Sequence, residues 1–335
     1  MRDLRNQETQ DGTAFEGYAA LGEGAALVDH DHRVLLDLSG KDPSGPAGLL
    51  AAILTNELPA REDLGAYGLL LDAKGRVQTD LRLLKRPGGS IIAEAEPEGA
   101  RAAREILGRY APFSRVKVEE LSDREDNPWS VLGLYGPAAK EKLSSLLGEL
   151  PELAEHQTAE TAPPGSDGSL PPLLISGVSR PVAGYDLLGP ADALREARER
   201  LLEAGATGAS AEDYEAARVE AGFPRFGADL TPENFPGEAG ILDRAVSFAK
   251  GCYPGQETVA RMHYRGHPNR SLYRLHVESG SPEPGAPILQ NGKEVGRLTS
   301  LSPLGDAALG YLHRKADPAS PLETAGAGLR ALAPA

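Results

Sequence analysis

The chain of 335 residues has a single cysteine, Cys252. No intrachain disulfide can form, and no four-cysteine iron–sulfur or zinc site can be built within one chain. Basic residues are the minority: 35 Lys and Arg stand against 49 Asp and Glu, a net charge of −14. That balance excludes a chain-wide electrostatic hold on nucleic acid or anionic lipid. No apolar run approaches the ~18 residues of a membrane span, and Met1 to Gln10 is too polar for a signal peptide. The expectation is a soluble cytoplasmic protein with no membrane contact. At roughly 150 residues per domain the length suggests two or three domains, ample for a sizeable core.

What is present is a mixture of helical and strand patterns. Leu49, Leu50, Ile53 and Leu54 share a helical face, and Tyr67–Asp72 and Val77–Leu84 flank Ala-Lys-Gly-Arg as a hairpin. Helices are expected over Arg101–Tyr110, Pro137–Leu147, Ala191–Leu202 and Glu212–Ala221, and strands over Val131–Tyr135 and Leu173–Ile175. This order lacks the βαβ cadence of a doubly wound fold and predicts α+β. After about residue 270 short strand candidates alternate with Gly/Pro turns, which predicts a small C-terminal β-barrel over 266–315. Residues 1–20 and 316–335 read as flexible tails, and the Pro/Ser/Thr-rich stretch 155–172 as an exposed loop, since such compositions bury too little apolar area to offset ordering entropy.

The chemistry concentrates in Lys250 to His276, where five basic residues meet one acid, Glu257. A basic island in an acidic chain suits a local anionic partner, the plain alternative being a solvated helix face. The island opens with Lys250-Gly-Cys-Tyr-Pro-Gly-Gln-Glu257. Pro254 suits the first position of a following helix, so Cys252 would lie just ahead of a helix N-terminus and two residues from Lys250. Both neighbours favour thiolate over thiol, the alternative being a buried, inert cysteine. His263 and His267 have the spacing of helical zinc ligands, but Gly266 and Pro268 argue against a helix there and no further ligand completes a site. No metal is expected.

The octet, continued by Thr-Val-Ala-Arg261, resembles the signature of the YgfZ family, folate-binding relatives of the glycine-cleavage T-protein. Leu54-Thr-Asn-Glu, the hairpin Leu70–Val77, Glu220-Ala-Gly-Phe-Pro-Arg-Phe-Gly-Ala-Asp229 and Gly296–Pro303 with Ala308–Leu312 are similar to further family segments, in order, from about residue 21 to 315. The resemblance implies a T-protein-like architecture of three subdomains in a ring around a central folate pocket, two of them interleaved over 21–265. It implies tetrahydrofolate or a derivative as ligand. It also implies a role in assembling or maintaining iron–sulfur clusters in client proteins, including radical enzymes that modify tRNA. Family activity depends on the cysteine matching Cys252. Direct binding to nucleic acid is not expected.

For the ligand, Glu220 is the carboxylate that would meet the donor edge of the pterin, with Lys250 or an arginine of the island receiving the glutamyl tail. Tyr253, Gln256 and Arg261 complete the expected folate-binding set, although core packing is the better explanation of Tyr253. The T-protein proper is an aminomethyl transferase that relies on an aspartate in a tandem acid pair; this chain has Thr79-Asp80 there. Asp80 is therefore the candidate catalytic acid of the alternative reading, a folate-dependent aminomethyl or one-carbon transferase. Retention of Cys252, where transferases carry an acid or other residue, favours the accessory-factor reading.

Overall fold

A computed structural model gives the fold over residues 16–148, 151–161 and 172–335. Helix α1 (Glu16–Glu23) and β1 (Ala26–Asp29) lead into β2 (Val34–Gly40), α2 (Gly45–Ile53), β3 (Ala66–Leu71), β4 (Val77–Lys85), β5 (Ile91–Ala95), α3 (Pro97–Tyr110) and β6 (Val116–Glu120). Then come β7 (Trp129–Tyr135), α4 (Ala139–Leu147), β8 (Thr158–Glu160), β9 (Leu174–Val178), β10 (Gly184–Pro190), α5 (Ala191–Glu203), β11 (Thr207–Ala209) and α6 (Ala211–Ala221). Strands β2 to β6 form a five-stranded sheet of order β3-β4-β5-β2-β6. Strand β1 instead joins the later strands in a six-stranded sheet, β11-β1-β7-β10-β9-β8. The chain thus contributes β1 to the second sheet, builds the first, and returns to the second.

Strand alternation explains how the sheets stack. On β2, β4 and β5, Leu36, Leu38, Leu81, Leu83, Ile91 and Ala93 point to α2 and α3. On β7 and β10, Leu132, Leu134 and Leu187 point to α4 and α5. The intervening positions Leu35, Leu84, Ile92, Val131, Leu174 and Leu188 form a separate cluster drawn from both sheets. The inner faces of the two sheets therefore meet, with helices outside. Each fully buried leucine contributes about 1.5–3 kcal/mol of burial.

The last third holds α7 (Leu242–Ala245), α8 (Gln256–Arg265), β12 (Arg270–Val277), β13 (Pro287–Gln290), β14 (Lys293–Leu301), β15 (Ala307–His313), β16 (Leu322–Thr324) and β17 (Ala327–Pro334). These six strands close a barrel in the order β12-β15-β14-β13-β16-β17. Two expected tails are corrected here. Residues 316–335 supply β16 and β17, and β17 pairs with β12 to close the barrel. Their small residues still alternate: Leu322, Thr324, Ala327 and Leu329 are buried, and an unpaired β12 edge would leave its backbone groups without partners. The barrel so runs from 270 to 334 rather than 266 to 315. At the other end, residues 16–20 open α1, where Tyr18 is 1% exposed and packs with Leu21 against Val28 and Tyr135. Residues 1–15 lie outside the described residues. Of the expected loop, 155–161 enters the sheet through β8, which pairs with β9; 162–171 lies outside the described residues.

Candidate functional site

The inner faces of the two sheets are apolar at one end and polar at the other. Along β4 the inward positions run Asp80, Arg82, Leu84; along β5, Ile92 then Glu94; along β10, Asp186 then Leu188. Where the leucines stop, the charged residues line a cavity with Tyr67, Tyr135 and Tyr214. Helix α6 closes one side. Its N-terminus is fixed by a capping box between Ser210 and Asp213, and its end by Gly222 in the left-handed conformation. Tyr214 and Arg218 reach the cavity from that helix, one turn apart.

A continuous ionic network forms the cavity wall. Arg33 Nη1 donates to Glu94 Oε1 at 2.6 Å, and Arg82 Nε donates to Glu94 Oε2 at 2.8 Å. Arg82 Nη1 lies 2.5 Å from Asp186 Oδ2, and Tyr135 Oη donates to Asp186 Oδ1 at 2.5 Å. His30 Nε2 is 2.9 Å from Tyr135 Oη. Because that hydroxyl's proton goes to Asp186, His30 must be the donor in its bond. Burial and the nearby Arg33 lower the pKa of His30 well below its ordinary value, so the ring is neutral. Burial would raise Glu94, but Arg82 and Arg33 outweigh it and hold the carboxylate below its ordinary range. Burial likewise disfavours the charge on Arg82, and Glu94 with Asp186 more than reverses that. Gly133 makes room for this arrangement, since a Cβ there would lie 2.3 Å from the Tyr135 ring.

Asp80 behaves differently. Tyr67 Oη donates to its Oδ2 at 2.9 Å, but among the described residues no cation lies within hydrogen-bonding reach of it. Burial, with the charge of Glu96 added, pushes Asp80 up to about 6. The position of this acid within the tandem pair is decided by alternation: Thr79, fully buried, points the other way, against Gly99, so only Asp80 faces the cavity. Beside it the Arg244 guanidinium is held between the Tyr67 and Phe223 rings, 4.4 Å from each centroid. His156, also lining, is driven down to about 3 by burial and by Arg82 and Arg244.

Several buried polar atoms of lining residues have no hydrogen-bond partner among the described residues: Arg33 Nε, Glu96 Oε2 and His156 Nδ1. Buried polar groups are seldom left so, and each costs about 1–3 kcal/mol. Arg180, exposed on the same cavity, makes no ion pair among the described residues. The arrangement suits a flat, polar ligand with donors and acceptors along its edge and an anionic end. The described residues hold no group of three or more metal-ligating side chains.

The expected site residues are not all brought together. Asp80 lines the cavity; Glu220, Lys250, Cys252, Tyr253, Gln256 and Arg261 do not. Glu220 accepts a hydrogen bond from Tyr18 Oη instead. It lies two residues beyond Arg218, roughly 200° around the helix from the cavity side. Lys250 Nζ donates to the carbonyl oxygens of Leu54 and Asn56, and so ties the octet to the end of α2. Cys252 is exposed. It stands further from the helix than Pro254 suggested, because Gly255 at φ 80° caps α8 and the first helical residue is Gln256. Gly255 leaves no room for a side chain: its Cβ would lie 2.5 Å from the Asp72 carbonyl of the β3–β4 hairpin. Tyr253 is core, as its alternative reading had it, packed with Leu71, Val77 and Val259. Arg261 pairs with Glu257 on the surface of α8 at 2.6 Å. His263 stacks on Phe248 at 4.1 Å, and α8 ends before His267.

Sequence reading missed Arg33, Arg82, Glu94, Tyr135 and Asp186. A signal was available: Arg82, Glu94 and Asp186 each sit singly between apolar neighbours within a strand, where an unpaired charge is hardly tolerated.

The chain matches the GCVT N-terminal domain family over residues 6–250. It is 32% identical over 205 residues to the tRNA-modifying protein YgfZ of Yersinia enterocolitica, covering 61% of this chain and 57% of that one. It is 31% identical over 299 residues to the tRNA-modifying protein YgfZ of Yersinia pestis (strain Pestoides F), covering 87% and 84%. Among solved structures, the glycine cleavage system aminomethyltransferase T of Bartonella henselae superposes with a TM-score of 0.80 at 21% identity. That match covers 95% of this chain and 88% of that one, a likeness of fold.

Proposed function

The chain belongs to the YgfZ family, and from that premise we propose that it is a reduced-folate-binding accessory protein for iron–sulfur enzymes. In this reading it acts in the cytoplasm and supports assembly or maintenance of clusters in client enzymes, among them enzymes that modify tRNA. The observation that carries the reading is the inter-sheet cavity, with its Asp80 and with Glu96 Oε2 and Arg33 Nε, which have no hydrogen-bond partner among the described residues. A pterin has the edge donors that such carboxyl groups accept from, and a glutamyl tail suits the guanidinium of Arg180, which has no ion pair among the described residues. Bound tetrahydrofolate supplies ring and bridge nitrogens able to carry a one-carbon unit. The protein's part is to orient those nitrogens, keep water from them, and hold a proton at Asp80.

The lone exposed thiol supports the accessory role. One cysteine cannot ligate a cluster within the chain, but an exposed one can meet a client. In a strain lacking its own relative, Cys252→Ser should lower client-enzyme activity to the level of the empty vector. The same variant should bind tetrahydrofolate within about twofold of wild type, since Cys252 does not line the cavity. Full client activity from Cys252→Ser would remove the thiol from the account. The second reading, an aminomethyl or one-carbon transferase, is favoured by Asp80 alone: a buried carboxyl near 6 can take up and return a proton close to neutral pH. It predicts turnover with an aminomethylated carrier that Asp80→Asn abolishes.

A further inference from the structure

Helix α8 is amphipathic. Val259 and Met262 face inward, against the 3-10 turn Pro236–Glu238. Glu257, Arg261, Tyr264 and Arg265 face outward at helical spacing. Between helix and turn lies a second cavity lined chiefly by Phe235, Pro236, Leu242, Val259, Met262 and Pro268. It opens beside His263, whose ring stacks on Phe248 at 4.1 Å. Tyr264 is 67% exposed, yet its ring is held edge-on to Phe248 at 5.6 Å and to His263 at 4.8 Å. A large aromatic fixed in solvent has little rotamer freedom left to lose on binding.

Positive charge predominates along this segment. From Thr258 to Val277 the sequence has four arginines, three histidines and no acid, in a chain of net charge −14. Glu257 engages Arg261 and Glu238 engages Arg270, while Arg265 has no ion pair among the described residues. Arg, Tyr and Met are the residue types enriched in protein–protein contact sites.

We infer that this face of α8 docks an acidic segment of a partner protein that carries one aliphatic, thioether or aromatic anchor. The anchor fills the cavity beside Met262, its acidic flank meets Arg265 and Arg261, and Tyr264 covers the join. A polynucleotide fits less well. Holding it electrostatically takes many phosphate contacts, whereas this patch offers a few cations on an acidic body, and the aliphatic cavity has nothing to offer a phosphate or sugar. The inference is independent of the folate reading, because none of these residues lines the inter-sheet cavity.

The test is a display selection of random short peptides on the immobilised full chain, with Arg265→Glu and Tyr264→Ala as parallel targets. Both substitutions lie on exposed positions and leave the core intact. The expected result is enrichment of peptides with Asp or Glu around a single apolar anchor, whose synthetic forms bind each variant at least about tenfold more weakly by fluorescence anisotropy. A lack of enriched peptides, or binding indifferent to both substitutions, overturns the inference. So does a single-stranded RNA oligonucleotide bound at this face and lost in the variants, or self-association of the chain that the variants abolish.

Discussion

Replacing Arg82 with methionine is expected to destabilise the protein by about 3–5 kcal/mol at pH 7, the usual consequence of breaking a buried ion pair from one side. Arg82 makes the closest ionic bridge between the two sheets at the cavity, holding Glu94 of β5 and Asp186 of β10 together. Without it the two carboxylates face each other across the inner layer. Arg33 remains with Glu94 at 2.6 Å, but it is 3.9 Å from Asp186 and does not take over. The sign of the pH dependence follows. In wild type, Glu94 has a lowered folded pKa, so its contribution is present above its unfolded pKa and fades as pH falls through the folded value. In the variant Asp186 loses its close cation and Glu94 one of its two, so keeping both carboxylates ionised costs more: the added penalty is absent in acid and grows as pH rises. Urea denaturation of both proteins from pH 4 to 8 checks this: the gap should widen with pH. Equal midpoints throughout would mean the network does not hold the sheets together.

Asp80→Asn is expected to act in the opposite direction. The folded carboxyl is raised to about 6, above an ordinary value near 3.8. Between those values the unfolded chain ionises while the folded one does not, so folding loses about 3 kcal/mol by the time pH passes the folded value. Asparagine cannot ionise and still accepts from Tyr67 Oη. The variant should therefore be more stable than wild type by about 2–3 kcal/mol above pH 6, with the gain disappearing below about pH 4. Thermal unfolding across that range reads it directly. A group retained at a cost to stability is typical of a functional site, and the same variant should lose ligand affinity.

Much of the fold was legible because its signals are local. The β3–β4 hairpin around Ala73-Lys-Gly-Arg76 and the helices after Pro190 and Ser210 follow from alternation and capping within short windows. The C-terminal strands were missed because their burial depends on distant pairing partners: β17 pairs with β12, some 50 residues away, and β16 with β13. The site was legible only at Asp80. Arg82, Glu94 and Asp186 come from strands that meet across two sheets, and nothing in their local sequence says which charge answers which. Glu220 shows the converse: the segment that resembles a ligand-binding one borders the cavity through Phe223 and Arg225, but helix phase turns that carboxylate toward Tyr18 and presents Tyr214 and Arg218 to the cavity. The octet around Cys252 was expected to supply both a reactive thiol and folate contacts from Lys250 and Gln256. Its side chains divide instead among a tether (Lys250), an exposed thiol (Cys252) and a core ring (Tyr253).

The central claim is that the inter-sheet cavity holds reduced folate. The most direct measurement is an anaerobic calorimetric titration with tetrahydrofolate of wild type, Asp80→Asn and Cys252→Ser side by side. The account predicts saturable one-site binding to wild type, equal binding to Cys252→Ser, and affinity lowered at least about tenfold, or 1.4 kcal/mol, in a folded Asp80→Asn. Folded wild type that takes up no tetrahydrofolate, or binding that Asp80→Asn leaves unchanged, would contradict it.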